Sequence, residues 1–216
     1  MLAALAPNRE DRTKKFFTRA KWADAWPEHE VLCFSDPALQ QDSRLNGAWF
    51  IHPTHDVIAS LSQIVVEIAV ELSIPKERIV IYGSSLGGFG ALMLSACIPG
   101  SKAVAEVPQL DFMLWHRRAI EDVENYILNG TNIRDFRKSF PERVSVLHRF
   151  LRTERIPQFT IITNPTDHRI TEQRNFFKWV ANSSLEKAGM NLIIETDEVA
   201  GHKVLPKRLL VPFVNP

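Results

Sequence analysis

The sequence predicts an α/β protein with a mostly parallel sheet flanked by helices. Short apolar runs rich in β-branched residues alternate with amphipathic stretches along the chain, a pattern typical of βαβ units. The internal runs are continuously apolar, as expected of strands that are covered on both faces. Because 216 residues suffice for one domain with a sizeable core, we expect a single domain over residues 1–216.

The predicted strands are short segments in which Val, Ile, Leu, Phe and Ala dominate. The internal strands are expected at Glu30–Phe34, Arg78–Tyr82, Ala103–Val107, Phe159–Thr163 and Asn191–Glu195. The segment Leu2–Ala6 is expected to form a truncated first strand. Together these runs predict the sheet and the order in which the chain enters it.

Two stretches have apolar residues at helical spacing. Asp56–Leu72 predicts a helix that begins at Asp56 and ends before Pro75, and Thr171–Gly189 predicts a helix with glycine at its C-terminal cap. Between Val107 and Phe159 lie about fifty residues, far more than an ordinary connection. We therefore expect an insertion at about residues 111–157, with helical segments at Phe112–Leu128 and Pro141–Arg152 that form a cap over the carboxyl edge of the sheet.

The composition is that of an ordinary globular protein, with 45 % apolar and 24 % charged residues and a net charge of +1. The spread of the basic residues argues against a nucleic-acid partner, and no apolar run is long enough to span a bilayer. The start lacks the pattern of a secretion signal. Cys33 and Cys97 lie in apolar runs that suit free thiols. We expect a cytoplasmic protein with no membrane partner.

The segment Gly83-Ser84-Ser85-Leu86-Gly87 lies between a predicted strand and a predicted helix. A G-x-S-x-G sequence in this context is typical of the nucleophile elbow, in which the central serine is raised above the sheet on a tight turn. Glycines on both sides of the serine avoid collisions in that turn. We predict Ser85 as a nucleophile and the Leu86 N–H as one oxyanion donor, because it opens the helix.

A serine nucleophile needs a base, and the base needs a carboxylate to orient it. Asp167 follows the strand FTIIT, and His202 lies in the loop after the strand NLIIE. We predict Asp167 as the acid and His202 as the base. The rival acids are Asp197 and Glu198, and the rival base is His168.

With YGSSLGGFGAL, the TNPTDHR turn and the AGH turn, the chain resembles the α/β-hydrolase superfamily over about residues 30–210. The longer run that begins YGSSLGG also resembles bacterial hydrolases associated with polysaccharide biosynthesis. The resemblance implies cleavage of an ester or amide through an acyl-enzyme, without a metal or an organic cofactor. The chain departs from the family pattern in having no HGGG-type motif and neither of the two customary N-terminal strands, so we expect an N-terminally reduced α/β-hydrolase fold. The second oxyanion donor would come from Ala6 or Asn8.

Trp49, Phe112 and Trp115 are candidate substrate-binding residues, and core or lid packing explains them equally well. His52, His55 and Asp56 have the residue types of a metal site, but the loop and helix-cap interpretation is favoured, and we expect no metal. The sequence thus predicts a serine esterase acting on a small-molecule or carbohydrate ester. Acyl transfer to a carbohydrate hydroxyl and a non-catalytic binding protein with this fold are the alternatives.

Overall fold

The computed structural model describes residues 2–3, 17, 20–42, 44–196 and 198–214. Its strands are β1 (Leu2–Ala3), β2 (Phe34–Ser35), β3 (Val80–Ser84), β4 (Lys102–Glu106), β5 (Arg155–Ile156), β6 (Gln158–Thr163), β7 (Glu186–Lys187) and β8 (Met190–Ile194). Six of them form a parallel sheet in the order β2-β1-β3-β4-β6-β8, and β5 and β7 form a separate parallel pair. The predicted α/β class with a parallel sheet is confirmed.

The helices lie in the connections between the strands. They are α1 (Val57–Glu71), α2 (Leu86–Cys97), α3 (Arg117–Tyr126), α4 (Ile133–Ser139), α5 (Val146–Arg152), α6 (Ile170–Asn182) and α7 (Lys207–Leu210). Among the described residues, no helix combines the length and the apolar character needed to cross a bilayer.

The central strands β3, β4 and β6 agree with the predicted strands to within two residues, because their apolar runs are buried on both faces. The first edge differs. The predicted strand Glu30–Phe34 is wrong over most of its length, since β2 contains Phe34–Ser35 and pairs with the two described residues of β1. The predicted strand Leu2–Ala6 is present at Leu2–Ala3, and its remaining residues lie outside those described.

Helix α1 matches its prediction, with Asp56 as the N-cap that accepts the Ala59 amide at 3.0 Å. The prediction of one helix over Thr171–Gly189 is wrong beyond Asn182. Helix α6 ends there, Ser183 is its C-cap, and the chain then forms β7, which pairs with β5. Pairing with another part of the chain thus replaces the glycine cap that the local sequence predicts.

The segment between β4 and β5 contains three helices and two short 3-10 turns. The expected helical segments appear as Phe112–Leu114 with α3 and as Pro141–Arg143 with α5. Helix α4 was not predicted. Its N-cap is Asn132, whose side chain accepts the Arg134 amide at 2.8 Å, and it buries Ile133 and Phe136.

Apolar residues pack on both faces of the sheet. The larger cluster joins α1, α2, α5 and α6 to one face and includes Phe89, Phe150 and Phe159. The smaller cluster lies on the other face and is formed by Tyr82, Val104, Ile162, Leu205 and Leu210. This second cluster fixes the C-terminal segment against the sheet, which is the segment that carries His202.

A buried ion pair connects α5 to the start of α1. Arg149 donates two hydrogen bonds to the Asp56 carboxylate, at 2.8 and 2.9 Å, and its side chain is 4 % exposed. Burial by itself raises the pKa of Asp56, but the Arg149 guanidinium outweighs this effect and the net pKa lies below its ordinary value. A buried arginine that loses its partner is costly, because its charge is then left uncompensated.

We expect Asp56→Asn to lower the free energy of unfolding by about 3 kcal/mol at neutral pH, while asparagine preserves the helix cap. Because the folded-state pKa of Asp56 is lowered, its contribution is present above the unfolded pKa of about 4 and is lost as pH falls through the folded pKa. Urea titrations at several pH values measure this, and the difference between wild type and variant should shrink in acid. Glu121→Gln, which breaks the exposed pair with Arg117, is the control and should change little.

Candidate active site

Ser85 lies on a strained turn between β3 and α2. Its backbone has φ 53° and ψ −119°, a region unfavourable for residues with a side chain, and its amide donates to the Glu106 carbonyl at 2.9 Å. The turn is very tight, since a Cβ added to Gly83 would lie 2.1 Å from the Gly87 carbonyl oxygen. Glycine at position 83 is therefore a steric requirement of the turn.

Helix α2 begins at Leu86, directly after Ser85. The first N–H groups of a helix have no acceptor within that helix, and the positive end of its dipole lies there. The predicted donor Leu86 N–H is thus at the helix end nearest to Ser85. The positions predicted for the second donor, Ala6 and Asn8, lie outside the described residues.

The structure brings Ser85, His202 and Asp167 together in one hydrogen-bonded chain. The Ser85 Oγ and His202 Nε2 are 2.9 Å apart, and His202 Nδ1 and Asp167 Oδ1 are 3.2 Å apart. Asp167 is buried, whereas Ser85 and His202 are partly exposed. A hydroxyl, an imidazole and a carboxylate in this order have the geometry needed to activate the serine.

The surroundings of the Asp167 carboxylate keep it ionised beside the His202 imidazole. Burial by itself raises its pKa, but the hydrogen bond from His202 and the Arg169 amide, which donates at 2.8 Å, outweigh burial and the net pKa is lowered. The second carboxylate oxygen, Oδ2, is buried and has no hydrogen-bond partner among the described residues. The Asp167 carboxylate is therefore ionised near neutral pH, and its nearest cationic partner when protonated is His202.

The loop that carries Asp167 holds the loop that carries His202. The Asn164 side chain donates to the Gly201 carbonyl at 2.7 Å, and the Gly201 amide donates to Thr166 Oγ1, also at 2.7 Å. Thr166 Oγ1 in turn donates to Asn164 Oδ1. Gly201 has φ 73°, a conformation that favours glycine. The two peptide groups that flank the Gly201 Cα are thus both held by hydrogen bonds, next to His202.

Glu106 anchors the same loop from the sheet side. Its Oε1 accepts the Leu205 amide at 2.8 Å, and the Tyr82 hydroxyl donates to its Oε2. Glu106 is 1 % exposed, and its backbone carbonyl is the acceptor for Ser85. One buried residue therefore contacts the turn of Ser85 and the segment that follows His202.

The rival residues occupy other positions. His168 Nδ1 is 3.7 Å from Asp167 Oδ1, and its pKa is lowered by burial and by the nearby His202, but His202 is the imidazole in contact with Ser85. Glu198 pairs with Arg208 at 3.1 Å. Asp197 lies outside the described residues.

Gln109 contacts Ser85 and was not singled out by the sequence. Its Nε2 donates to Ser85 Oγ at 2.6 Å, and its Oε1 accepts from Trp49 Nε1 at 3.2 Å. Gln109 is 1 % exposed. The only signal in the sequence is its position three residues after β4, at the carboxyl edge of the sheet.

A cavity of about 380 Å³ opens beside Ser85. Its lining residues are Asn46, Gly47, Trp49, Ser85, Leu86, Trp115, His116, Arg118, Ala119 and Asp122. The predicted substrate-binding residues Trp49 and Trp115 lie in this wall. Phe112 does not, because it is fully buried and packs against Trp49, with the ring centroids 4.8 Å apart.

Among the described residues, the side chains placed closely enough to share a metal ion are Asp167, His168 and His202. These belong to the site around Ser85. At the other candidate metal site, the Asp56 carboxylate is occupied by Arg149, and His52 Nδ1 accepts the Thr54 and His55 amides. This arrangement agrees with the loop and helix-cap interpretation.

Several solved structures resemble this chain. The capsule O-acetyltransferase of Neisseria meningitidis serogroup A has a TM-score of 0.61 and 16 % identity, covering 94 % of this chain and 78 % of that one. An S-formylglutathione hydrolase from Agrobacterium tumefaciens has a TM-score of 0.54 and 16 % identity, covering 78 % and 60 %. The glycosylation-associated Gap123 complex of Streptococcus agalactiae gives 0.56 and 12 %, covering 84 % and 35 %.

The chain has the α/β-hydrolase fold, which these likenesses and the sheet order support. It spans 60 % of the length of the S-formylglutathione hydrolase and 35 % of the chain from the Gap123 complex. No protein-family model matches the sequence, and no curated protein matches it.

We expect Thr166→Val to release the Gly201 amide, because valine has a similar shape but no acceptor oxygen. Hydrogen–deuterium exchange of the segment around Gly201 should become faster, while exchange in α2 stays as in the wild type. Thr166→Ser keeps the hydroxyl and should restore slow exchange. Equal exchange in wild type and Thr166→Val would show that this hydrogen bond does not hold the loop.

Proposed function

We propose that this protein is a serine hydrolase that cleaves a carboxylic ester through an acyl-enzyme. The observation that carries the proposal is the hydrogen-bonded chain from Ser85 through His202 to Asp167, built on a strained turn at the N-terminus of α2. Strain and a buried, ionised carboxylate both cost free energy of folding. When both features occur next to a partly exposed hydroxyl, the arrangement is typical of the site of a catalytic nucleophile.

In the proposed reaction, Ser85 Oγ attacks the ester carbonyl carbon and its proton passes to His202 Nε2. Asp167 orients the imidazole and stabilises the imidazolium, and the Leu86 N–H donates to the oxyanion. When the C–O bond to the alcohol breaks, His202 gives the proton to the leaving oxygen. Water then attacks the acyl-enzyme, with His202 again as base, and the acid is released.

The cavity beside Ser85 supports a substrate with an apolar part and a polar part. Trp49, Leu86 and Ala119 provide apolar surface near the nucleophile, which suits an acyl group. Asn46, Arg118 and Asp122 provide hydrogen-bonding groups in the same cavity, which suit a hydroxylated alcohol part. We therefore infer a small-molecule or carbohydrate ester as substrate.

Acyl transfer to a carbohydrate hydroxyl is the second candidate. The polar residues of the cavity favour it, because a bound sugar hydroxyl placed there would compete with water for the acyl-enzyme. One protein with the same fold is a capsule O-acetyltransferase. Both reactions form the same acyl-enzyme. They differ in whether water or a sugar hydroxyl then attacks it.

A fluorophosphonate probe is expected to label the folded wild type on Ser85, because the hydroxyl is hydrogen-bonded to its base. Ser85→Ala should abolish labelling, and His202→Ala should slow it by about 10⁴-fold or more. Ser84→Ala is the matched control, since it removes a neighbouring hydroxyl that lies in β3. Labelling is read by intact-protein mass spectrometry.

Absence of labelling in the folded wild type would contradict the proposed function and favour a non-catalytic binding protein. Labelling that persists in Ser85→Ala would contradict the assignment of the nucleophile.

The two candidate reactions are expected to differ in their products. With an acetylated donor ester and a panel of free sugars, a hydrolase releases acetate at a rate independent of the sugar, whereas a transferase forms an acetylated sugar and does so in proportion to its concentration. Mass spectrometry of the products measures the ratio. Acetylated sugar as the main product would overturn the ester hydrolase in favour of the transferase.

A further inference from the structure

We propose that the side-chain amide of Gln109 is a catalytic donor, which polarises Ser85 in the resting site and holds the oxyanion during acylation. This inference rests on the proposed function and supplies a second oxyanion donor beside the Leu86 N–H.

The orientation of the amide is determined by Trp49. An indole N–H only donates, so the group that faces Trp49 Nε1 at 3.2 Å must be the amide oxygen of Gln109. The nitrogen, Nε2, must then face Ser85 Oγ, 2.6 Å away. Trp49 therefore settles a choice between oxygen and nitrogen that a glutamine alone leaves open.

This orientation of the amide determines which atom donates in the hydrogen bonds of Ser85 and His202. Because Ser85 Oγ accepts a hydrogen bond from Gln109, its own hydrogen is free to donate to His202 Nε2. The proton of the imidazole then lies on Nδ1, where it donates to Asp167. Each side chain therefore donates a hydrogen bond to the next, in the order Trp49, Gln109, Ser85, His202 and Asp167. This is the direction needed for His202 to remove the serine proton.

The backbone around Gln109 is held in place before any substrate binds. The Leu110 and Asp111 amides both donate to Glu172 Oε1 of α6, at 2.9 and 3.0 Å. Gln109 itself is 1 % exposed, so its amide is shielded from bulk solvent. A donor fixed in this way needs no reorganisation when charge develops, which is the condition for strong electrostatic stabilisation.

Trp49 is held equally firmly. It has φ 52°, and the next amide, that of Phe50, donates to Asp36 Oδ2 at 2.8 Å. Asp36 is fully buried and also accepts the Ala38 amide. The left-handed backbone at Trp49 places its indole against Gln109, and a buried carboxylate maintains that conformation.

In the tetrahedral intermediate, the oxyanion and Ser85 Oγ are bonded to the same carbon. A donor within hydrogen-bond distance of Oγ is therefore also near the position of the oxyanion, and an amide nitrogen carries two hydrogens. The oxyanion then lies between the Gln109 Nε2 and the Leu86 N–H at the start of α2. Gln109 stays neutral throughout, so no proton transfer to or from it is needed.

The main test compares wild type with Gln109→Met, which keeps length and apolar bulk but has no N–H. On a reactive ester we expect kcat to fall about 10²- to 10³-fold, with KM nearly unchanged because the donor acts on the transition state. Affinity for a boronic acid, which forms a tetrahedral anionic adduct with the serine, should fall by a similar factor. Affinity for a neutral, unreactive analogue should not change.

Trp49→Phe is the second variant, and it covers the case in which Gln109→Met fails to fold. It keeps an aromatic ring but removes the N–H that orients the amide, so we expect a drop in kcat of about tenfold. Gln109→Glu, which places an oxygen where Nε2 lies, should be at least as impaired as Gln109→Met.

Unchanged kcat and unchanged boronate affinity in the folded Gln109 variants would overturn this inference. If those variants do not fold, the same result in Trp49→Phe would overturn it. In either case, a reactive wild type would still support the proposed function. A wild type that neither reacts with the fluorophosphonate nor cleaves esters would overturn the proposed function first. Loss of thermal stability without loss of kcat would assign Gln109 a structural role and also overturn the proposal.

Discussion

The hydrogen bond from the Ser85 amide to the Glu106 carbonyl is the interaction on which the site depends most. It connects β4 to a residue whose φ of 53° is unfavourable for any side chain, and it leaves the hydroxyl raised above the sheet. The same Glu106 holds Leu205 through its carboxylate. One buried residue therefore contacts both the turn at Ser85 and the C-terminal segment.

The parallel sheet explains why distant parts of the chain meet here. Strands β3, β4 and β6 lie side by side in the sheet and point in the same direction. Their carboxyl ends therefore open at the same edge, with Ser85 after β3, Gln109 after β4 and Asp167 after β6. Residues as far apart in the sequence as Ser85 and Asp167 are brought to one edge by this topology alone.

The α/β class and the central strands of the sheet could be predicted, because local runs of apolar residues decide them. Ser85, Asp167 and His202 each follow a predicted strand, and the structure brings the three together. Gln109 could not be predicted, because its importance depends on a contact with Trp49, sixty positions away. The helix over Thr171–Gly189 was predicted too long for a similar reason, since β7 forms by pairing with β5. Phe112 was grouped with Trp49 and Trp115, but only the side-chain packing shows that it lies behind the cavity wall.

The hydrogen bonds among Asn164, Thr166 and Gly201 join the loop that carries Asp167 to the loop that carries His202. Grafting the Asp167 turn into another scaffold would transfer the carboxylate without the Gly201 peptide groups that hold His202 in place. The reverse graft would bring a histidine whose loop lacks its anchor. Redesign of this enzyme candidate, by loop exchange or by recombination with a related chain, has to exchange the two loops together.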